Sequence, residues 1–247
     1  MSTQKKVAFI TGANKGLGLE TARQLGKQGI TVLIGARDEA RGQAAAATLT
    51  KEGIDAHYIH VDMEQPSTFS KVYDTIAAKY GKLDILINNA GISVEKANWG
   101  ANTVTKTTPG EIRKTFDTNF FNLIELTQIL LPLIIKSDAG RIVNLSSILG
   151  SLELHASPSS PIYDSKGFAY DASKTALNQF TVHLAHALKD THVKVNSAHP
   201  GWVKTDLGTD AAPMNVVDGA KTSVWLATLP ADGPNGGYFH MQDRLPW

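Results

Sequence analysis

Val7-Ala-Phe-Ile-Thr-Gly-Ala-Asn-Lys-Gly-Leu-Gly18 is the stretch that decides the fold. An apolar run of strand length feeds a turn with glycines at 12, 16 and 18, and a helical segment, Leu17–Gln28, follows at once. The glycines permit a tight turn, close approach of the backbone to a phosphate, and close packing of the helix on the strand. The helix start supplies free N–H groups and the positive end of a dipole. A glycine turn alone is weak, but with a strand before it and a helix after it the stretch predicts nucleotide binding by Gly12, Asn14, Lys15, Gly16, Leu17 and Gly18.

The pattern continues along the chain. Val7–Ile10, Thr31–Gly35, Ala56–His60, Leu83–Ile87, Arg141–Leu145 and Val193–Ser197 are apolar runs of strand length, suited to burial on both faces of a parallel sheet. Leu17–Gln28, Glu39–Lys51, Ser67–Tyr80, Glu111–Lys136 and Gly167–Leu188 have helical composition, and a short strand around Gly237–Phe239 closes the set. Strands alternating with helices predict one domain over residues 1–247: a doubly wound, seven-stranded parallel α/β sheet with helices on both faces, a Rossmann fold. Two stretches break the rhythm. Ser93–Pro109 is polar, and Ser151–Lys166 carries Pro158 and Pro161; both are read as loops at strand C-termini, where open α/β sheets bind ligands.

Bulk properties narrow the classes. The 247 residues are 42% hydrophobic and 19% charged, ample for a core, and a net charge of +1 gives no basic field for nucleic acid or an anionic membrane. With no cysteine, disulfides and thiolate chemistry are excluded, which suits the cytosol. Val7–Ile10 is too short for a signal-peptide core, and Ile129–Ile135 is too short to span a bilayer, so the expectation is a cytoplasmic protein. His183 and His186 have no third partner in view and are read as packing or surface residues, so no metal is expected.

The next strand end carries the ligand's identity. An acidic residue about 20 positions beyond the glycine loop favours NAD; here Ala36 and Arg37 stand instead, which suits a 2′-phosphate. Lys15, at a helix start, is unfavourable unless an anion compensates. Together they favour NADP(H), with Asp38 left as a helix cap. His60-Val-Asp62, followed by Met63, places a carboxylate for an adenine amino group, and Asn88-Asn89-Ala90-Gly91 ends a strand with amides and small residues. A helix-starting Asp and an ordinary turn are the plainer readings of these two segments.

Tyr170-Asp-Ala-Ser-Lys174 sets a phenol and an ammonium four apart on one helical face. A neighbouring cation favours the phenolate, so the pair can act as an acid or base; it can also be an ordinary helical contact.

The sequence resembles the short-chain dehydrogenase/reductase family over almost its whole length. Thr11–Gly18, Asn88–Gly91, Asn119, Asn144-Leu-Ser-Ser147, Tyr170–Lys174 and Pro200–Gly201 follow one another in family order. Thr118-Asn-Phe-Phe121 and Pro200-Gly-Trp-Val-Lys-Thr-Asp206 are most similar to the NADPH-dependent carbonyl reductases. The resemblance implies that Tyr170 gives a proton to a carbonyl oxygen, Lys174 lowers its pKa and bonds the nicotinamide ribose, and Ser147 holds the carbonyl. Ser146 is then a structural hydroxyl, and Asn119 anchors a water. Pro200, Gly201, Val203 and Thr205 frame the nicotinamide, with Val203 bonding the carboxamide through its backbone.

Ser147 and Tyr170 are 23 positions apart, wider than in compact members of that family. The extra length is the Ser151–Lys166 loop, which holds a decoy, Tyr163-Asp-Ser-Lys166. His155, Tyr163 and Trp202, with Trp99, are candidate substrate-binding residues. The expected activity is reduction of a small-molecule ketone or aldehyde, reversible as alcohol oxidation. The alternatives are a β-ketoacyl or quinone reductase on the same machinery, and a non-catalytic NADP-binding sensor or scaffold. Oligomeric state is left open between a monomer and a homo-oligomer.

Overall fold

In the computed structural model, residues 5–95 and 104–247 are described. The strands are β1 (Val7–Thr11), β2 (Thr31–Ala36), β3 (Ala56–His60), β4 (Ile85–Asn88), β5 (Arg141–Leu145), β6 (Lys194–His199), β7 (Tyr238–His240) and β8 (Asp243–Arg244). They form one sheet in the order β3-β2-β1-β4-β5-β6-β7-β8. All pairs are parallel except β7 with β8.

The expectation of seven parallel strands is therefore corrected to eight, the last antiparallel. β8 is two exposed polar residues joined to β7 by a tight turn in which Met241 adopts φ +53°. A strand so short and polar has no apolar periodicity to read.

Alternation explains the continuous apolar runs. Phe9, Leu33, Leu86, Ile142 and Val195 point to one face, where they meet α3 (Phe69–Tyr80), α5 (Asn122–Ile135) and α7 (Phe168–Ala187). Ile10, Ile34, Ile87, Val143 and Ala198 point to the other, against α1 (Gly16–Lys27), α2 (Glu39–Lys51) and α9 (Lys221–Ala227). Every residue of the inner strands β1, β2 and β4 is thus buried on one side or the other, as doubly covered parallel sheets require, while the outlying β3 and β8 carry exposed residues.

The expected Glu111–Lys136 helix is also revised. It starts earlier, as α4 (Pro109–Phe116), because Thr108 and Glu111 form a capping box. It then passes through a π segment, Asp117–Phe121, before α5. The run Pro109–Ile135 is long and apolar enough to cross a membrane by length and composition, a longer element than the Ile129–Ile135 run suggested. Here Leu123, Leu126, Leu130 and Leu133 are buried against the sheet. The Ser151–Lys166 segment, read as a loop, contains α6 (Leu152–Ala156). A last short helix, α8 (Val216–Gly219), leads into α9.

Candidate active site

Strand order reverses between β1 and β4, since β2 lies on one side of β1 and β4 on the other. The crevice beyond their C-terminal ends is where an open α/β sheet takes its ligand. Gly12 and Gly16 turn there with φ +65° and +56°. A Cβ on Gly18 would stand 2.5 Å from Asn89 Nδ2 and 2.6 Å from the Gly12 carbonyl, so only glycine lets α1 start this close to the strand. Asn89 ties the turn to β4: its Nδ2 donates to the carbonyls of Thr11 (2.7 Å) and Gly12 (3.2 Å). The amides of Asn89 and Ala90 both donate to Thr11 Oγ1 at 3.0 Å.

The residues present fit a dinucleotide. No side chain caps α1 at Lys15, so its first-turn N–H groups point outward for an anion. Arg37 is two-thirds exposed just after β2, with a loose ion pair (3.8 Å) to Glu64. Lys15 is held by the Asp206 carboxylate, from the segment after β6, across the mouth of the glycine turn. Asp62 Oδ1 accepts from the amide of Glu64 (3.0 Å), and Met63 is buried with its carbonyl accepting from Asn122 Nδ2 (2.7 Å).

The chemical groups gather one strand further along. Tyr170 and Lys174 lie on the first turns of α7, almost wholly buried. No side chain of its own caps α7; instead Glu95, from the loop after β4, accepts from the amides of Ala169 (3.0 Å) and Tyr170 (2.9 Å). A carboxylate at this helix start is favourable and fixes the backbone that carries the phenol. The Tyr170 hydroxyl is hydrogen-bonded to Ser147, and burial pushes the phenol up to about 12 despite that bond. Ser147 opens a 3-10 turn, its Oγ accepting from the amide of Leu149 (3.3 Å). Ser146 turns its hydroxyl toward the buried Tyr238.

Lys174 Nζ donates to the Leu145 carbonyl (2.7 Å), 5.6 Å from the centre of the Tyr170 ring. Burial pushes the ammonium down to about 8. In this arrangement desolvation dominates at the tyrosine and holds the phenol above its ordinary value, in its protonated form at neutral pH. A Cβ on Gly91 would sit 3.5 Å from Lys174 Nζ and 3.4 Å from Asn119 Oδ1, so a small residue keeps the approach to both open. Asn119 is in the π segment and fully buried. Its amide group bonds Ile92 on both sides (N and O, 2.8 Å each) and Ser173 Oγ (3.1 Å), which makes the side chain a brace for the loop after β4.

Tyr170 and Ser147 line a cavity of about 360 Å³ with Leu17, Pro200, Gly201, Val203 and Thr205. Leu17, at the start of α1, is thus on the same wall as Tyr170 and Ser147, while Gly12, Lys15, Arg37, Asp62, Asn119 and Lys174 are not on it. Trp202 lines it too, half-exposed, with Nε1 donating to the Gly208 carbonyl (2.7 Å). His155 and Tyr163 do not, which corrects their assignment to the substrate wall. His155 Nε2 donates to the Leu149 carbonyl (2.9 Å), and Lys166 donates to its Nδ1 (3.0 Å) while standing over the Tyr163 ring. The decoy tyrosine and lysine therefore pack on each other, outside the cavity. Trp99 lies outside the described residues.

Pro161, Ile162, Ser165 and His199 are wall residues that the sequence reading missed. The loop residues are too irregular to carry a periodic signal, whereas His199, next to the Pro-Gly turn, was in plain view. Among the described residues no cluster of histidine and acidic side chains is arranged to hold a metal.

A glycine turn at the switch point, beside a cavity lined by a buried tyrosine and serine with a buried lysine next to the tyrosine ring, defines a dinucleotide-dependent α/β oxidoreductase. The family model for short chain dehydrogenases matches residues 6–215, and the chain belongs to that family. It is 35% identical to short-chain dehydrogenase/reductase 1 of Saponaria officinalis, covering 99% of this chain and 97% of that one. Carbonyl reductase (NADPH) 1 of Mus musculus is 32% identical over the whole of both chains. Among solved structures, carbonyl reductase Sniffer of D. melanogaster superposes with a TM-score of 0.83 at 28% identity, over 99% of this chain and 100% of that one.

Proposed function

We propose that the protein is an NADPH-dependent carbonyl reductase, acting as one catalytic domain on small ketones or aldehydes in the cytosol. The observation that carries this reading is the buried Tyr170 hydroxyl, bonded to Ser147 on the wall of the cavity that also meets the glycine turn. The relatives named as NADPH carbonyl reductases support the choice of cofactor and reaction. NADPH, when bound, supplies the hydride. The amides of the α1 start would hold its phosphates, Arg37 its 2′-phosphate, and the Pro200–Thr205 turn its nicotinamide end.

The chain's own residues do the rest. Ser147 and Tyr170 converge on one carbonyl oxygen and stabilise the charge that develops there. Tyr170, protonated at neutral pH, gives its proton to that oxygen. The resulting phenolate lies beside the Lys174 ammonium, which offsets its charge in a dry interior. Asn119 and Glu95 keep the loop after β4 and the start of α7 in register, so that the hydroxyl stays on the cavity wall. Apolar Leu17, Ile148, Leu149, Ile162 and Leu207 exclude water from the reacting atoms.

The test is NADPH oxidation by purified protein over a panel of ketones and aldehydes. Ketone-dependent oxidation that disappears in Tyr170→Phe is the expected result. NADPH binding without turnover on any carbonyl would leave a sensor or scaffold in its place.

A further inference from the structure

His199 shares the cavity wall with Tyr170 and Ser147 but has no part in the proton path above. It is the last residue of β6 and is buried. Its Nδ1 accepts from two backbone amides, those of Ile148 (3.1 Å) and Gly201 (3.4 Å). Backbone N–H groups can only donate, so Nδ1 carries no proton, and the neutral ring must carry it on Nε2. Burial first, then the neighbouring His240, pushes the imidazole down to about 3, so the ring is neutral at any physiological pH. His240 is itself fixed, its Nδ1 against the His199 carbonyl (3.0 Å) and its ring 5.0 Å away.

The other nitrogen is the notable one. Among the described residues His199 Nε2 has no hydrogen-bond partner, and it is not sealed off from the space that the residue lines. The ring is anchored through Ile148 to the turn that carries Ser147, on the side of the cavity where the carbonyl would be held. The surrounding wall is largely apolar, in which an unused donor is costly and a paired one discriminating.

We propose that His199 is a specificity-determining residue, whose Nε2–H donates to a second oxygen acceptor on the substrate: a further carbonyl, an ester or an ether beside the reacting C=O. The inference rests on the carbonyl-reductase reading and adds the chemical class within it. The substrate is an apolar-bodied ketone or aldehyde with a neighbouring oxygen, rather than a plain hydrocarbon ketone.

Two measurements decide it. In ¹⁵N imidazole spectra of the NADPH-bound protein, His199 should remain the neutral Nε2–H form from pH 5 to 8; an Nδ1–H form, or titration in that range, overturns the proposal. In the second, hydrocarbon ketones are compared with size-matched ketones carrying an ester or second carbonyl. In His199→Asn the amide oxygen can replace Nδ1 as acceptor, but nothing reaches the Nε2 position. This variant should lose about tenfold in kcat/KM on the oxygen-bearing set, the worth of one hydrogen bond to a desolvated acceptor, and little on the other. NADPH affinity should not change, and His199→Gln, which returns an N–H near Nε2, should recover part of the loss. Equal losses on both sets, or a matching loss of NADPH affinity, would overturn the inference while leaving the reductase intact. A wild-type enzyme that reduces neither set would remove the reductase reading itself, and this inference with it.

Discussion

The two ends of β5 carry buried cations that behave in opposite ways. At its start, Arg141 is 3% exposed and spends its guanidinium on backbone carbonyls: Leu229 (3.1 and 2.6 Å), Gly140 (2.7 Å), His192 (3.2 Å) and Pro230 (3.1 Å). Beyond its end, Lys174 is as deeply buried, yet among the described residues it makes one hydrogen bond, to Leu145. Burial costs both charges hydration. Arg141 recovers it from a saturated shell and stays cationic, although burial lowers its pKa. Lys174 recovers little, and its ammonium falls to about 8. A saturated buried charge is a fastener, while an undersaturated one is held ready for a partner that arrives later.

The strongest way to break that contrast is at the open end. Tyr170→Phe should cut ketone reduction by about 10²–10⁴-fold, the range for a lost general acid, while leaving the melting temperature and NADPH affinity near wild type. A fall in stability that matched the fall in rate would place Tyr170 with the fasteners. At the closed end, Arg141→Ala should leave kcat per folded molecule unchanged. It should lower unfolding free energy by about 3 kcal/mol in urea melts, because several buried carbonyls lose their donor together. A weaker effect follows at Arg37, whose head is exposed. Arg37→Ala should raise the Kd for NADPH about 10- to 100-fold and leave that for NADH within a factor of two, by fluorescence titration. Equal changes for both would remove the 2′-phosphate from Arg37's role.

What could be read from the sequence divides along the same line. The strand positions follow from apolar runs because burial on both faces forces a continuous composition, as in β1 and β2. Tyr170, Lys174 and Ser147 were legible because the Tyr-to-Lys spacing is local and the motif order is shared with a family. Glu95 was not, for it reaches the Tyr170 amide from 75 positions away and nothing in its neighbours marks it. Nor was the chain Asn88–Asn144–Thr181, in which Asn88 Nδ2 donates to Asn144 Oδ1 (2.8 Å) and Asn144 Nδ2 to Thr181 Oγ1 (2.8 Å). It locks the ends of β4 and β5 to α7, and its members look in sequence like ordinary strand-end and helix polar residues. His155 failed in the opposite sense: a histidine in a loop near the site reads as a ligand-facing group, but Lys166 and the Leu149 carbonyl use both its nitrogens.

The subtlest effect lies in pH. Reduction requires Tyr170 protonated and Lys174 cationic. With the phenol held at about 12 and the ammonium at about 8, the limit on the alkaline side is set by the lysine. The rate should fall by about half at pH 8 and continue downward, well before tyrosine ionises. Stability should move the other way. Between about pH 8 and the usual lysine range near ~10.4, the unfolded chain holds a proton on this side chain that the folded chain has lost, so unfolding becomes harder as pH rises. Lys174→Met should abolish that rise in stability by removing the titrating group, and should flatten the alkaline limb of whatever activity is left. Rate–pH profiles and urea melts over pH 7–10 for the two proteins read both effects. A wild-type profile in which rate and stability both stay level from pH 7 to 10 would mean that Lys174 is paired as fully as Arg141, and the contrast between the two ends of β5 would vanish.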